Sequence, residues 1–196
     1  MKTPDLIQIN NFISKEEIDL IMNVINSATE DDWKKSYHRE IYYNKGKPIP
    51  IDSDLYKERM ARINEFWDDK LLPFNINEKT DALADSLTER ASKVFDDMYD
   101  INELYRVQRQ YPGTNLKIHN DQANNKNLLK AIIVYLNDDY KGGELFFPDY
   151  DFEIKPKAGT LISFPGDSTH EHGVKPVEDG PTRYVLSSFA FVKGSQ

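Results

Sequence analysis

After Asp100 the apolar residues of this chain change their repeat. Before it they recur at helical spacing; beyond it they fall into short alternating runs bounded by turn residues. Residues 104–111, 116–121, 129–136, 144–147, 152–155, 160–164, 170–177 and 184–192 each read as a strand. Pro112-Gly113, Asn137-Asp138, Gly142-Gly143, Pro148-Asp149, Lys157-Ala158-Gly159 and Asp179-Gly180-Pro181 separate most of them. Short strands at such close spacing predict a double-sheet jelly roll, the double-stranded β-helix. The predicted class is therefore α+β, a jelly roll with N-terminal helices packed on one of its sheets.

The first half supplies those helices. Residues 6–9 alternate like a short strand. Ser14-Lys15-Glu16-Glu17 is a capping box, and Ile13 and Ile18 stand at the positions of a hydrophobic staple. A helix over residues 15–27 follows, with Ile18, Ile21, Met22 and Ile25 on its apolar face. A second helix is predicted over 55–71, through Met60, Ile63, Phe66 and Trp67, and a third over 78–99, through Leu83, Leu87, Ala91, Val94 and Met98. Residues 33–53 carry Gly46, Pro48 and Pro50 and read as irregular or edge-strand structure. Neither repeat nor linker divides the 196 residues. One domain is expected over 1–196, with a helical support layer to about residue 100 and a jelly-roll core over about 104–192.

Composition narrows the chemistry. The net charge of −8 and pI near 5.1 argue against nucleic acid or an anionic membrane as the main partner. With no cysteine, disulfides, thiolate metal sites and a cysteine nucleophile are excluded. Lys2, Asp5, Lys15, Glu16 and Glu17 interrupt any signal-peptide core, and the apolar run 131–136 is too short to span a bilayer. A soluble cytoplasmic protein is the expectation.

The segment from Tyr111 to Asp121 carries a histidine and a carboxylate two residues apart, His119 and Asp121. In a strand, such residues project from one face and can reach one metal ion together. His170 and His172 lie in the seventh predicted strand, which in a jelly roll can face the second across the open end. Either would complete a set of two histidines and one carboxylate. Such a set leaves adjacent positions open and suits non-haem Fe(II) with a cosubstrate and O2, whereas structural zinc prefers a closed tetrahedral site. Arg183, on the next strand, would be costly inside a barrel unless it met an anion, and its planar fork suits a carboxylate.

In order along the chain come Gln110-Tyr111-Pro112-Gly113, Ile118-His119-Asn120-Asp121, Tyr135-Leu136-Asn137-Asp138, Gly142-Gly143-Glu144-Leu145-Phe146-Phe147-Pro148, Ser163-Phe164-Pro165 and His172-Gly173-Val174-Lys175-Pro176 with Arg183. Together these resemble the iron- and 2-oxoglutarate-dependent dioxygenases, in particular the prolyl 4-hydroxylase branch, over roughly residues 104–192. The resemblance implies that His119, Asp121 and His172 bind Fe(II). It also implies that Arg183 and Tyr135 hold the far carboxylate of 2-oxoglutarate, and that Tyr111 lines the cosubstrate pocket. His172 is preferred to His170 because it stands before the family's x-Val-x-Pro. His170 shares its strand face by parity; a role in supporting the ligands or contacting substrate stays open for it, and an exposed histidine with no role is the favoured reading.

Arg183 follows His172 by eleven residues, one more than the family pattern, and Pro181 is the extra residue that the turn must absorb. Arg109, on the Tyr111 face of its strand, is a further pocket candidate, and residues 42–51 stand where relatives carry a substrate-covering loop. The implied activity is hydroxylation of peptidyl proline coupled to decarboxylation of 2-oxoglutarate to succinate, with O2 consumed and ascorbate as an accompanying reductant. Peptidyl lysine, a free amino acid or another small molecule remains an alternative substrate. The rivals from other classes are a non-catalytic jelly-roll binding module and a cupin-type metal enzyme, the latter lacking a glutamate soon after His172.

Overall fold

A computed structural model describes residues 3–29, 33, 43–44, 47–50, 52–58, 73–75, 81–95, 99–101 and 106–195. Strand β1 (Ile7–Ile9) leads into helix α1 (Lys15–Ser27). The capping box forms as its sequence requires: Ser14 Oγ accepts the Glu17 N–H at 3.2 Å, and Glu17 Oε2 accepts the Ser14 N–H at 2.8 Å. Glu17 also meets Arg90 of helix α2 (Asp81–Ser92) at 2.7 Å, and Arg90 donates to the Phe12 carbonyl at 2.9 Å. One side chain thus caps α1 and fastens α2 to its start. Ser14→Ala removes the acceptor and should cost about 1 kcal/mol of stability in a denaturant titration.

Two short strands, β2 (Tyr43–Asn44) and β3 (Lys47–Pro48), form a ribbon inside the predicted loop 42–51; the rest of that loop except Ile49 and Pro50 lies outside the described residues, as does His38. Residues 54–58 are helical, and the remainder of the helix predicted over 55–71 lies outside the described set. Strand β4 (Pro73–Asn75) follows. The third predicted helix is shorter than its apolar repeat: α2 ends at Ser92, and Tyr99 instead begins β5 (Tyr99–Ile101), which pairs with the last strand. Its Tyr-Asp-Ile alternation is a strand period, and pairing along that edge outweighs continuation of the helix.

The eight predicted strands are all present. They are β6 (Arg106–Gln110), β7 (Leu116–His119), β8 (Leu128–Tyr135), β9 (Leu145–Phe147), β10 (Phe152–Ile154), β11 (Leu161–Pro165), β12 (His172–Val174) and β13 (Arg183–Val192). One sheet runs β1-β11-β8-β13-β6-β4, with β5 also on β13, and the other β10-β9-β12-β7. This alternation of strands between two antiparallel sheets is the jelly roll.

Two apolar layers follow from the period of two. Val134, Leu186 and Val107 are in register across β8, β13 and β6, and with Ile21, Ile25, Leu87 and Ala91 they form the layer between sheet and helices. Tyr135 and Val185, one residue along, turn to the other face and pack with Leu145, Phe147, Ile162 and Phe164 between the sheets. Among the described residues no helix is long and apolar enough to cross a membrane.

Candidate metal centre

The second and seventh jelly-roll strands do not face each other across the opening. They are β7 and β12, hydrogen-bonded neighbours in one sheet, and His119 is the register partner of His172. Directly opposed residues of an antiparallel pair share a face, and the two imidazole centroids lie 4.5 Å apart. Asp121 is not in the strand either. β7 ends at His119; Asn120 stays extended at φ −120°, ψ 149°, and Asp121 opens a short 3-10 turn over Asp121–Asn124. The extended Asn120 preserves the two-residue relation, so the carboxylate still reaches the imidazoles. Asp121 Oδ1 is 3.6 Å from His119 Nε2, and Oδ2 is 3.6 Å from His172 Nε2. One ligand atom from each of the three residues lies within 4.8 Å of the others.

Backbone carbonyls fix which imidazole nitrogen faces inward. His119 Nδ1 donates to the Lys117 carbonyl at 2.8 Å, and His172 Nδ1 to the His170 carbonyl at 3.0 Å. A carbonyl only accepts, so each Nδ1 carries the proton and each neutral ring turns a lone pair inward from Nε2. Two such lone pairs and a carboxylate then converge with no hydrogen between them, and Asp121 Oδ2 is buried with no hydrogen-bond partner. A metal cation would satisfy all three groups at once. The residues present therefore fit a metal ion held by two imidazoles and one carboxylate.

Without a metal, a proton serves in part. Burial pushes the His119 pKa down, but Asp121 outweighs it and the net shift is upward. Burial dominates at His172 and pushes its pKa down, with Asp121 opposing and His119 adding to the fall. The raised pKa of His119 means that the metal-free fold gains stability from this proton at pH below the ordinary imidazole value, and loses the gain as pH rises through the raised one. Metal must displace that proton. Apparent metal affinity should therefore fall about tenfold per pH unit once pH is below the raised His119 value, measurable by Mn(II) titration across the neutral-to-acidic range.

Packing holds the ligands in place. Phe164 and Phe147 stand 4.5 and 5.9 Å from the His172 ring. Gly166, which the sequence reading did not single out, supports Asp121. Its carbonyl accepts the Gln122 N–H at 2.8 Å, and a Cβ at this position would stand 2.6 Å from Leu128 Cδ2 and 3.2 Å from Asp121 Cβ. Its one sequence signal is its place directly after Ser163-Phe164-Pro165.

Arg183 faces inward. Asn137 of the Tyr135-Leu136-Asn137-Asp138 motif explains how the extra Pro181 is absorbed. Its Nδ2 donates to the Thr182 carbonyl at 2.9 Å and its Oδ1 accepts the Tyr184 N–H at 2.8 Å, so β13 is clamped on both sides of Arg183. Gly180, at φ +103°, supplies the left-handed residue of the turn. Arg183 is 4% exposed, and its guanidinium stands 5.1 Å from the Tyr135 ring centroid. Gln110, its register partner, offers Oε1 to Nη1 at 3.5 Å while donating through Nε2 to the Thr114 carbonyl at 2.8 Å. Among the described residues no carboxylate pairs with Arg183, and Arg183 Nε and Tyr135 Oη lack hydrogen-bond partners. A buried guanidinium without a counter-ion is the mark of an anion pocket.

Two sequence expectations change. His170 is neither in a strand nor exposed: it closes a 3-10 turn, is buried, stacks on Tyr150 at 5.2 Å, and its Nε2 accepts the Asp5 N–H at 3.2 Å. Arg109 does share the Tyr111 side of β6, but that side faces the helices. Its guanidinium lies 4.1 Å from the Trp33 ring centroid and 5.0 Å from that of Tyr111, on the face opposite Gln110 and Arg183. Tyr111, directly after β6, sets its ring against the same guanidinium.

A jelly roll with an inward set of two histidines and one carboxylate, and a buried unpaired arginine on the neighbouring sheet, defines a metal- and anion-binding oxygenase-type domain. Residues 105–191 match the family described as the 2OG-Fe(II) oxygenase superfamily. Human prolyl 3-hydroxylase 2 is 43% identical over 55 residues, which are 26% of this chain and 8% of that protein; chicken prolyl 3-hydroxylase 1 is 38% identical over a stretch of the same size. The chain thus matches less than a tenth of the length of these curated relatives. The viral collagen prolyl hydroxylase vCPH of Paramecium Bursaria Chlorella virus-1 has a similar structure, with TM-score 0.64, 20% identity and 95% of each chain covered. A Pseudomonas putida prolyl-4-hydroxylase has TM-score 0.56 and 16% identity, covering 98% of this chain and 95% of that one. Over residues 105–191, then, this chain is similar to the 2OG-Fe(II) oxygenase superfamily.

Proposed function

We propose that this protein is an Fe(II)- and 2-oxoglutarate-dependent hydroxylase of peptidyl proline. The observation that carries the reading is the convergence of three metal-binding groups, Asp121 Oδ2 among them without a partner, in the same jelly roll as a buried arginine that lacks a counter-ion. A metal-only enzyme has no need of that arginine, and a binding module has no need of the metal set.

In this reading His119, Asp121 and His172 hold the iron. Arg183 and Tyr135 take the far carboxylate of 2-oxoglutarate, and Tyr111 is assigned to the wall at the pocket's entrance. When bound, iron and 2-oxoglutarate supply the oxidising chemistry, with O2 reduced as 2-oxoglutarate loses CO2 to give succinate. The chain's own part is positioning and exclusion. The two Nδ1–carbonyl hydrogen bonds fix the tautomer of both imidazoles and aim each Nε2 inward. Phe147 and Phe164 keep water from the His172 side, and Asn137 holds Arg183 in its register.

Peptidyl proline is favoured by the named relatives, which are proline hydroxylases of both the 3- and the 4-type. Another protein of similar structure is a prolyl hydroxylase in complex with a peptide fragment of a hypoxia inducible factor oxygen degradation domain, from Trichoplax adhaerens. Ascorbate is assigned only as a reductant that restores Fe(II). The test is anaerobic titration with Fe(II) and 2-oxoglutarate for a charge-transfer band, then a succinate assay with proline-containing peptides in air. Hydroxyproline in the product, separated into 3- and 4-isomers, is the expected result and settles the position of attack. No absorption band and no succinate would sink the enzyme; succinate without peptide hydroxylation would leave the chemistry standing and remove the proline.

A further inference from the structure

We propose that Tyr140 is a third donor to the far carboxylate of the cosubstrate, beside Arg183 and Tyr135, and that it makes the pocket select a dicarboxylate over a simple 2-oxo acid. The inference rests on the cosubstrate reading above. Tyr140 lies outside any strand, in the polar turn that joins β8 to β9, yet it is only 2% exposed. Its hydroxyl is buried and has no hydrogen-bond partner. A phenol ordinarily finds a partner when buried, because leaving the O–H unpaired forfeits its hydration. Phenylalanine would fill the same space without that cost, so packing alone does not account for the hydroxyl.

The surroundings aim this ring at Arg183. Lys155 Nζ sits 4.4 Å from the ring centroid and donates to the Tyr140 carbonyl, which fixes the residue from its outer side. On the inner side Gly143, at φ +69°, leaves room for a shared approach. A Cβ there would stand 2.9 Å from Tyr140 Cε2 and 3.3 Å from Arg183 Cδ. The Gly142-Gly143 turn therefore does more than reverse the chain: it lets a tyrosine and an arginine lie against the same point. Burial pushes the Tyr140 phenol up to about 12, against the opposing pull of Arg183. It is thus an O–H donor at neutral pH and not a counter-ion for the guanidinium.

Donor and acceptor numbers agree with a carboxylate. An ionised carboxylate offers about four acceptor sites. The Arg183 fork can fill two, and the Tyr135 and Tyr140 hydroxyls one each. Arg183 Nε, Tyr135 Oη and Tyr140 Oη are all buried without partners, and one two-oxygen anion would satisfy all three. A neutral or single-oxygen ligand would leave some of them bare.

The test compares 2-oxoglutarate with pyruvate, which keeps the 2-oxo acid and lacks the far carboxylate, as ligands of the Mn(II)-loaded protein in anaerobic calorimetry. Tyr140→Phe should weaken 2-oxoglutarate about tenfold or more, the loss of one hydrogen bond to a charged group. It should leave the affinities for pyruvate and Mn(II) unchanged, and should not lower the thermal midpoint of the metal-free protein. An unchanged 2-oxoglutarate affinity overturns the proposal, and so does a parallel loss of pyruvate and Mn(II), which would mark Tyr140 as packing alone. Arg183→Gln separates the two levels. If it weakens 2-oxoglutarate while Tyr140→Phe does not, the cosubstrate reading survives and the third donor falls. If the unsubstituted protein binds Mn(II) but no 2-oxoglutarate, both fall.

Discussion

Replacing His172 with alanine is expected to abolish specific divalent-metal binding. In the unsubstituted protein a metal at a hundred times its Kd should stabilise the fold by about 2.7 kcal/mol. For a chain of this size that raises the melting midpoint by about 5–10 °C. His172→Ala leaves one imidazole and one carboxylate on the two sides of a gap, and its midpoint should not move with added Mn(II). Each protein is compared with its own metal-free baseline, because the substitution also opens space between Phe147 and Phe164. The neighbouring histidine supplies the contrast. His170→Ala removes the acceptor of the Asp5 N–H and the stacking partner of Tyr150. It should lower stability by about 1–2 kcal/mol and keep the metal-induced rise. A rise retained in His172→Ala and lost in His170→Ala would overturn the ligand assignment.

Arg183→Met is expected to separate stability from function, with effects of opposite sign. In the protein without cosubstrate, Arg183 is a buried cation with no carboxylate partner among the described residues. Replacing a buried charge with an apolar side chain of similar length is often neutral or stabilising by about 1–4 kcal/mol, so the metal-free midpoint should hold or rise. Cosubstrate affinity should move the other way. Removing one partner of a buried charge pair costs about 2–5 kcal/mol of binding, which is a loss of roughly thirtyfold to several thousandfold. Arg183→Lys keeps the charge and loses the fork, and should fall between the two. Calorimetry with 2-oxoglutarate, run beside thermal melts of the same proteins, reads both effects. A variant that melts lower and binds normally would show that Arg183 serves the fold and not the ligand.

Much of this was legible along the chain. Ser14 and Glu17 set the start of α1 because a capping box is a local device, complete within four residues. The jelly-roll strands lie close to their predicted places because alternation and turn residues are local signals too. His119, Asp121, His172 and Arg183 stood out because a motif states which residue types must be near one another. Where the reading went astray, the missing information was partnership and not periodicity. Parity correctly put Arg109 with Val107 and Tyr111, yet it cannot say which face of β6 the helices cover. A shift of one residue exchanges the two faces, and the pocket went to Gln110. His170 looked idle because its partners, Asp5 and Tyr150, are far away along the chain.

The same division applies to the metal centre and the pocket beside it. The sequence alone determined where the jelly-roll strands fall along the chain, the start of the first helix and the set of residue types that a metal and a dicarboxylate would need. These depend on short-range sterics and on hydrogen bonds within a turn or two. Only the tertiary structure decided that His119 and His172 are register partners on adjacent strands. It also decided that Asp121 keeps its reach after leaving the strand, and that Asn137 draws Arg183 inward despite Pro181. Tyr140 belongs to this second group. Nothing in a polar turn marks one aromatic residue as a donor until the sheets close over it and leave its hydroxyl without water.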